Sequence, residues 1–195
     1  MMSAVSSSFS ITRTEIVSSR SLRALLAGAG LTLVMALGAM ARLYVPFTPV
    51  PFTLQTFFLF YGAMALGRRS MLSQGAYLGL GALGAPVFAG FACGFSALCG
   101  PTAGFLFGFL VCSFLVGTFV SGNSKRSVIR ELPILLIGMF SYFIPGVMWL
   151  MVLSGGSLKT ALVTGFLPFF PGDLIKMCLA YILYRKTQVR LNHLF

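Results

Sequence analysis

Acidic residues are almost absent from this chain, and their scarcity excludes several kinds of protein. Only Glu15, Glu131 and Asp173 occur among 195 residues, and all charged residues together make up 9% of the sequence. A soluble domain carries roughly 25% charged residues, so a water-exposed surface is not predicted here. No pair of acids lies within the apolar segments, which argues against acid–base catalysis there.

Other chemistry-bearing residues are equally scarce. The single histidine, His193, cannot build a metal site alone, and no Gly-rich loop ends in the Lys-Ser/Thr pair that holds ATP phosphates. Of the four cysteines, Cys93 and Cys99 fall in one loop, and their spacing leaves open whether they are bonded. We therefore predict a protein that is not an enzyme and has neither a cofactor nor a metal.

Long apolar runs are what the chain has instead. Hydrophobic residues make up 57% of it, and a membrane helix needs roughly 20 mostly apolar residues. The runs, divided at proline, glycine and charge clusters, predict six spans near residues 24–41, 52–67, 71–85, 102–120, 132–153 and 160–184. The predicted fold is an all-α integral membrane protein, a bundle of six transmembrane helices with re-entrant or structured outer loops.

The basic residues lie between these runs, and this distribution predicts the orientation. With a cytoplasmic N-terminus and six spans, eleven Lys or Arg fall inside and two, Arg42 and Lys159, fall outside; Lys176 lies within the last span. Basic loops stay cytoplasmic, so both termini are predicted inside and the protein in the inner membrane of a cell. The net charge of +11 therefore does not indicate a nucleic-acid partner.

The ends of the chain differ in composition from the apolar part. We predict a disordered cytoplasmic tail over residues 1–20, a membrane domain over 21–186 and a short cytoplasmic tail over 187–195. Residues 1–20 are rich in serine with scattered arginine, a composition that also has some likeness to an organellar transit peptide.

Asp173 and Lys176 are the only charged residues within a predicted span, and they form the clearest candidate for a site. A charged side chain inside a membrane helix costs about 2.5–3.5 kcal/mol by insertion scales. Such a side chain therefore faces a cavity or the interior of the bundle. Residues three apart share a helix face, and Pro171-Gly172 should break the helix just before them. A broken helix then offers a charged pair to a small ligand. The alternative is structural: Asp173 is only a helix cap and Lys176 only its partner.

Two loop segments should meet the same outer face. Prolines hold residues 44–56, in the first loop, extended, and glycines let residues 87–95, in the third loop, approach a ligand closely. Both segments are aromatic with few polar groups, as small-molecule sites often are. The candidate substrate-binding residues are Asp173, Lys176, Gln55, Thr53, Phe52, Tyr77 and Phe91.

Three motifs resemble one known family, the BioY proteins, which are biotin-binding S components of energy-coupling-factor (ECF) transporters. The motifs are PFTPVPFTLQT at 46–56, GAPVFAGF with LCGPTAGFLFGF at 84–91 and 98–109, and LPFFPGDLIK at 167–176. The likeness covers most of residues 24–186, and the chain departs from the family's usual residues at Phe91, Ala103 and Phe105.

The resemblance implies a function and partners. Biotin would lie under the first and third loops, with Asp173 on the ureido N–H groups and Lys176 on the valerate carboxylate. Uptake would be powered by two partner ATPases through a transmembrane coupling protein. Small residues recur every four positions in the first span, at 24, 28, 32 and 36, and suit close helix packing either within the bundle or on that partner.

Three alternatives to biotin import remain open. The same scaffold would serve to import a different small vitamin or carboxylate, although an acid without urea-type N–H groups leaves Asp173 unpartnered. A membrane assembly protein without a ligand predicts that Asp173 and Lys176 satisfy each other and that no cavity lies above them. A small membrane enzyme is disfavoured, because catalytic pairs are missing from the apolar segments.

Overall fold

A computed structural model describes residues 13–120 and 127–194 of the chain, with side chains from 21–120 and 127–188. Nearly all of its regular structure is helical. The elements in chain order are α1 (Arg13–Met40), β1 (Arg42–Leu43), β2 (Phe52–Thr53), α2 (Gln55–Leu66), a 3₁₀ turn (Gly67–Arg69), α3 (Ser70–Ala82), α4 (Gly94–Ala97), α5 (Ala103–Phe119), α6 (Val128–Leu153), α7 (Leu158–Gly165) and α8 (Phe170–Leu194).

These helices match the six predicted spans and confirm an all-α membrane fold. Residues Ser21–Met40 of α1 and the whole of α6 are long and apolar enough to cross a membrane. A third candidate span is the pair α7 and α8, bent by 45° at the break between them. The remaining spans are shorter: α5 has 17 residues, α2 has 12 and α3 has 13.

Two helices extend past their predicted borders. Helix α1 begins at Arg13, before the predicted boundary at residue 21, and α8 runs to Leu194, beyond the predicted end of the membrane domain at 186. Neither residues 13–23 nor residues 173–194 contain a proline or glycine, so nothing in the sequence stops the helix. Residues 1–12 of the predicted tail and residues 121–126 of the basic loop lie outside the described residues.

The loops at one end of the bundle carry structure of their own. We call this the cavity end; α1, α3 and α6 end there, and α2, α5 and α8 begin there. In the first loop, β1 and β2 form an antiparallel hairpin in which Arg42 faces Thr53. The second span was predicted to begin at residue 52, but the prolines before it keep the chain extended and α2 begins only at Gln55.

Close backbone contact holds the helices around the cavity end together. A side chain at Gly104 of α5 would overlap the carbonyl of Pro145 in α6, and one at Gly108 would overlap Tyr142. Glycine at both positions lets α5 lie directly on α6. Helix α2 packs along α8, which brings the start of α2 beside the first turns of α8.

The small-residue stripe of α1 packs within the bundle over part of its length. Gly28 lies against the hydroxyl of Ser73 in α3, 3.2 Å from where a Cβ would stand. Thr32 donates from its hydroxyl to the carbonyl of Ser73 at 3.1 Å. Toward the N-terminus of α1, a groove remains open between the two helices and is lined by Ala24 and Leu25 among others.

A charged cluster that the sequence did not indicate lies at the opposite end. Glu131 falls inside α6 and is 1% exposed. Its Oε2 accepts hydrogen bonds from the Tyr181 hydroxyl at 2.7 Å and from Arg185 at 3.3 Å, both on α8. The expectation that Asp173 and Lys176 were the only charges within a span is therefore wrong, because α6 begins earlier than predicted and carries Glu131 inward.

Candidate functional site

A cavity lies at the cavity end between the two structured loops and the helices. It has a volume of about 60 Å³ and both polar and apolar walls. The lining residues are Val50, Pro51, Thr53, Gln55, Thr56, Phe88, Ala89, Thr102, Phe105, Leu106, Phe109, Tyr142, Phe143, Phe169, Asp173 and Lys176. Four of the seven predicted site residues are among them, namely Asp173, Lys176, Gln55 and Thr53.

Asp173 is held in the first turn of α8. The last span was predicted to break at Pro168, Pro171 and Gly172; the break falls at residues 166–169, around Pro168, while Pro171 and Gly172 lie within α8. Proline is compatible with the first turn of a helix because the N–H it lacks would have no partner there. Asp173 does not start or cap the helix; its amide donates to the carbonyl of Phe169 at 2.8 Å. Its side chain is thereby free to face the cavity.

The Asp173 carboxylate is buried and accepts three hydrogen bonds. It is 4% exposed. Oδ1 accepts from the Thr56 hydroxyl at 2.8 Å and from Lys176 Nζ at 2.9 Å, and Oδ2 accepts from the Tyr142 hydroxyl at 2.8 Å. A carboxylate has about four acceptor positions, so one position on Oδ2 is left.

Lys176 is held by three groups around its ammonium. Besides Asp173, Nζ donates to the backbone carbonyl of Thr53 at 2.7 Å and lies 4.6 Å from the centre of the Phe52 ring. An ammonium has three N–H donors, so one remains for another acceptor. The ring of Phe52 stacks on Phe169 at 4.8 Å, which places Phe52 behind the lysine and outside the cavity lining.

A hydrogen-bonded chain fixes the orientation of Gln55. Its Nε2 donates to the Tyr77 hydroxyl at 2.8 Å, and its Oε1 accepts from the Thr53 hydroxyl at 3.2 Å. Tyr77 in turn donates to the carbonyl of Val87 at 3.1 Å. Tyr77 therefore joins α3 to both loops and positions Gln55, while its own side chain lies behind the cavity wall.

The third loop reaches the cavity through a different phenylalanine from the one predicted. Phe91 is 66% exposed, whereas Phe88 is 3% exposed and lines the cavity. Phe88 forms a bridge with Ala92, and the turn between them has positive φ at Gly90 (80°) and Phe91 (61°). This turn directs Phe88 inward against Tyr77 and leaves Phe91 outside.

Several cavity residues were missed by the sequence analysis. Thr56 ends the motif PFTLQT and was detectable there, whereas Tyr142 stands among the many aromatic residues of the membrane helices. A tyrosine at the centre of an apolar helix needs a hydrogen-bond partner for its hydroxyl, and this requirement could have indicated that Tyr142 faces a polar group. The other missed lining residues are mainly aromatic, since Phe105, Phe109, Phe143 and Phe169 form much of the wall.

The geometry of Asp173 and Lys176 can be compared with the alternative of a membrane assembly protein that has no ligand. That interpretation expected Asp173 and Lys176 to satisfy each other, and they do form an ion pair. It also expected no cavity above them, yet both side chains line one. An apolar wall with a few convergent polar groups is the usual composition of a small-molecule site.

The fold defines a helical membrane protein with a cavity at one end, and the lining of that cavity has the composition usual for small-molecule sites. The chain belongs to the BioY family, whose model matches residues 9–193. It is 36% identical over 149 residues to the biotin transporter BioY of Thermotoga maritima, covering 76% of this chain and 86% of that one. It is 35% identical over 172 residues to biotin transporter BioY2 of Lactococcus lactis, covering 84% and 92%.

The fold also resembles a solved structure. The crystal structure at 2.1 Å of an S-component for biotin from an ECF-type ABC transporter superposes with a TM-score of 0.79. The two chains are 28% identical, and the match covers 91% of this chain and 94% of the other.

Proposed function

We propose that this chain is a biotin-uptake protein that binds biotin in the cavity formed by Asp173, Lys176 and the two loops. Family membership, relatives named as biotin transporters and a matching S-component for biotin support this function. They also support a transport role over an enzymatic one. The observation that carries the proposal is the set of acceptor positions on Asp173.

In the structure Asp173 and Lys176 form a hydrogen-bonded ion pair. A ligand that binds to both side chains must therefore replace that ion pair. When Lys176 turns to a ligand carboxylate, Oδ1 of Asp173 keeps Thr56 and Oδ2 keeps Tyr142. One acceptor position is then open on each oxygen. Two adjacent positions on one carboxylate match the two N–H groups of a cyclic urea, and the released ammonium matches a carboxylate.

The remaining walls suit the apolar middle of such a ligand. Phe88, Phe105 and Phe109 line the cavity together with the polar groups. The cavity of about 60 Å³ has room for about five water molecules at 10–15 Å³ each, which is less than biotin occupies. Binding therefore requires the cavity to enlarge.

We also propose that the protein lies in the inner membrane with both termini in the cytoplasm. The eleven-to-two distribution of basic residues supports this orientation. It places the cavity end outside, where a ligand for import arrives. We propose a transmembrane coupling protein and two ATPase subunits as partners, because the resemblance to the ECF family implies them.

The test is competition for radiolabelled biotin on the purified full-length protein in detergent. Dethiobiotin keeps both the cyclic urea and a carboxylate, so it should compete. Lipoic acid keeps an apolar chain with a carboxylate but has no urea, so it should not compete at comparable concentrations. Absence of biotin binding would refute the function, and equal competition by lipoic acid would favour the alternative of a general carboxylate importer.

A further inference from the structure

Arg42 lies at the rim of the cavity, on the face of the β1–β2 hairpin that is turned toward the cavity. It lies directly opposite Thr53 in the β1–β2 hairpin. Residues directly opposite each other in an antiparallel pair point to the same face of the sheet. Thr53 lines the cavity, so the Arg42 side chain lies on the same side of the hairpin without being part of the lining.

The guanidinium of Arg42 is fixed between the first and third loops. It donates from Nη1 to the Tyr44 hydroxyl at 2.5 Å and stacks on the Tyr44 ring at 4.7 Å. It also lies against Gly90, where any Cβ would overlap Nη1. The neighbour of Gly90, Ala89, lines the cavity. Arg42 therefore lies where the two loops meet over the opening.

Most of the hydrogen-bonding capacity of Arg42 is unused. A guanidinium has five N–H donors, and among the described residues Arg42 uses one of them, on Tyr44. A planar group with several free donors is the side chain best suited to a carboxylate.

The surrounding charge strengthens this role. The loops of the cavity end, residues 41–54, 83–102 and 154–169, contain two charged residues, Arg42 and Lys159, and no acid. Lys159 lies on the exposed start of α7 and not on the rim. Thr53 lies between the two cations Arg42 and Lys176. Arg42 is opposite Thr53 in the hairpin, and Lys176 donates a hydrogen bond to the Thr53 carbonyl.

We infer that Arg42 captures the carboxylate of the incoming ligand at the rim before Lys176 binds it in the cavity. This inference rests on the proposed function and adds a residue that sets the association rate. A charge at the rim of a site changes the association rate and its salt dependence more than the dissociation rate.

The test is stopped-flow binding to the purified full-length protein, followed by the fluorescence of Trp149. This is the only tryptophan in the sequence, and it lies at the cavity end, where its Nε1 donates to the carbonyl of Gly100 at 2.9 Å. The ligands are biotin and biotin amide, which lacks the carboxylate charge. The variants are Arg42→Gln, Arg42→Lys to keep the charge, and Lys159→Gln as a matched control at the same end.

We expect Arg42→Gln to slow biotin association roughly fivefold at low salt, as for two unit charges that meet at about 4 Å in water. Association of the amide should change less than twofold, and Arg42→Lys and Lys159→Gln should retain the wild-type rate for biotin. The difference between wild type and Arg42→Gln should shrink as salt is raised.

Two results would overturn the inference. If Arg42→Gln instead speeds the dissociation of both ligands, Arg42 is a clamp between the loops. If biotin binds at the wild-type rate in Arg42→Gln, the rim charge has no role in capture. Wild-type protein that binds neither ligand would refute the proposed function itself and this inference with it.

Discussion

Replacing Lys176 with methionine should remove the preference of the site for a carboxylate. Methionine keeps the length of the side chain and removes the charge. One N–H donor of Lys176 remains after its bonds to Asp173 and Thr53, and a second becomes available when the ligand takes over Asp173. A hydrogen bond to a charged group contributes about 1.5–3 kcal/mol, which corresponds to about ten- to a hundredfold in affinity.

The structure shows why the absolute affinity is the wrong quantity to compare. Lys176 is also the counter-ion of Asp173, and removing one partner of a buried ion pair costs about 3–5 kcal/mol. The resulting change at Asp173 affects every ligand that hydrogen-bonds to this carboxylate, with or without a carboxylate of its own. The ratio of the affinities for biotin and biotin amide cancels this shared effect and isolates the interaction with the carboxylate.

The assay is equilibrium binding of both ligands to the purified wild type, to Lys176→Met and to Lys159→Met. Wild type and the Lys159→Met control should prefer biotin over its amide by about ten- to a hundredfold. In Lys176→Met the ratio should fall close to one at high salt, where the charge of Arg42 at the rim is screened. If the ratio in Lys176→Met equals that of wild type, Lys176 does not bind the carboxylate and its role is structural.

Three further predictions concern the third loop, the opposite end and the orientation. Phe88→Ala should weaken biotin binding by more than tenfold because this ring lines the cavity, while Phe91→Ala should change the Kd less than twofold; equal losses would contradict the observed loop. Glu131→Gln should lower the melting temperature by about 5 °C, from the loss of about 2 kcal/mol, without changing the biotin Kd, and an unchanged melting temperature would show that its ion pair is not stabilising. In a variant in which the exposed Cys93 and Cys99 are replaced by serine, a cysteine at position 155 should react with an impermeant thiol reagent added outside intact cells; labelling only after lysis would reverse the proposed topology.

The sequence predicted the charged pair because charge is rare in this chain. Two charged residues three positions apart in an apolar span indicate a site on energetic grounds alone, whatever the fold. The proline- and glycine-rich loops were predicted to meet the same face, and residues from both now line one cavity with that pair. Composition and local spacing were sufficient for these features.

The partners of the pair could not be predicted in the same way. Thr56 and Tyr142 reach Asp173 from α2 and α6, at sequence separations of 117 and 31 residues. In a soluble protein the polar face of a helix reveals its orientation, but a membrane helix is apolar on both its lipid and its bundle sides. Helical periodicity therefore did not indicate which hydroxyl faces inward.

The choice between Phe88 and Phe91 depends on backbone conformation. Both rings lie in one loop within four residues of each other, and hydrophobicity does not distinguish them. The positive φ of Gly90 and Phe91 reverses the chain and decides which ring points inward. Positive φ is expected for glycine but is uncommon for phenylalanine, so the second residue of this turn was not predictable.

In the proposed binding mode, the selectivity of the site follows from the requirement that every buried charge keeps a partner. Without ligand, Asp173 and Lys176 neutralise each other beside an apolar wall. A ligand with a cyclic urea and a carboxylate gives each of them a new partner, so one satisfied arrangement replaces another. A ligand with only one of these groups separates the pair and leaves one charge without a partner, which is costly at a buried site. Discrimination therefore comes from the penalty on incomplete ligands as well as from the contacts of the complete one.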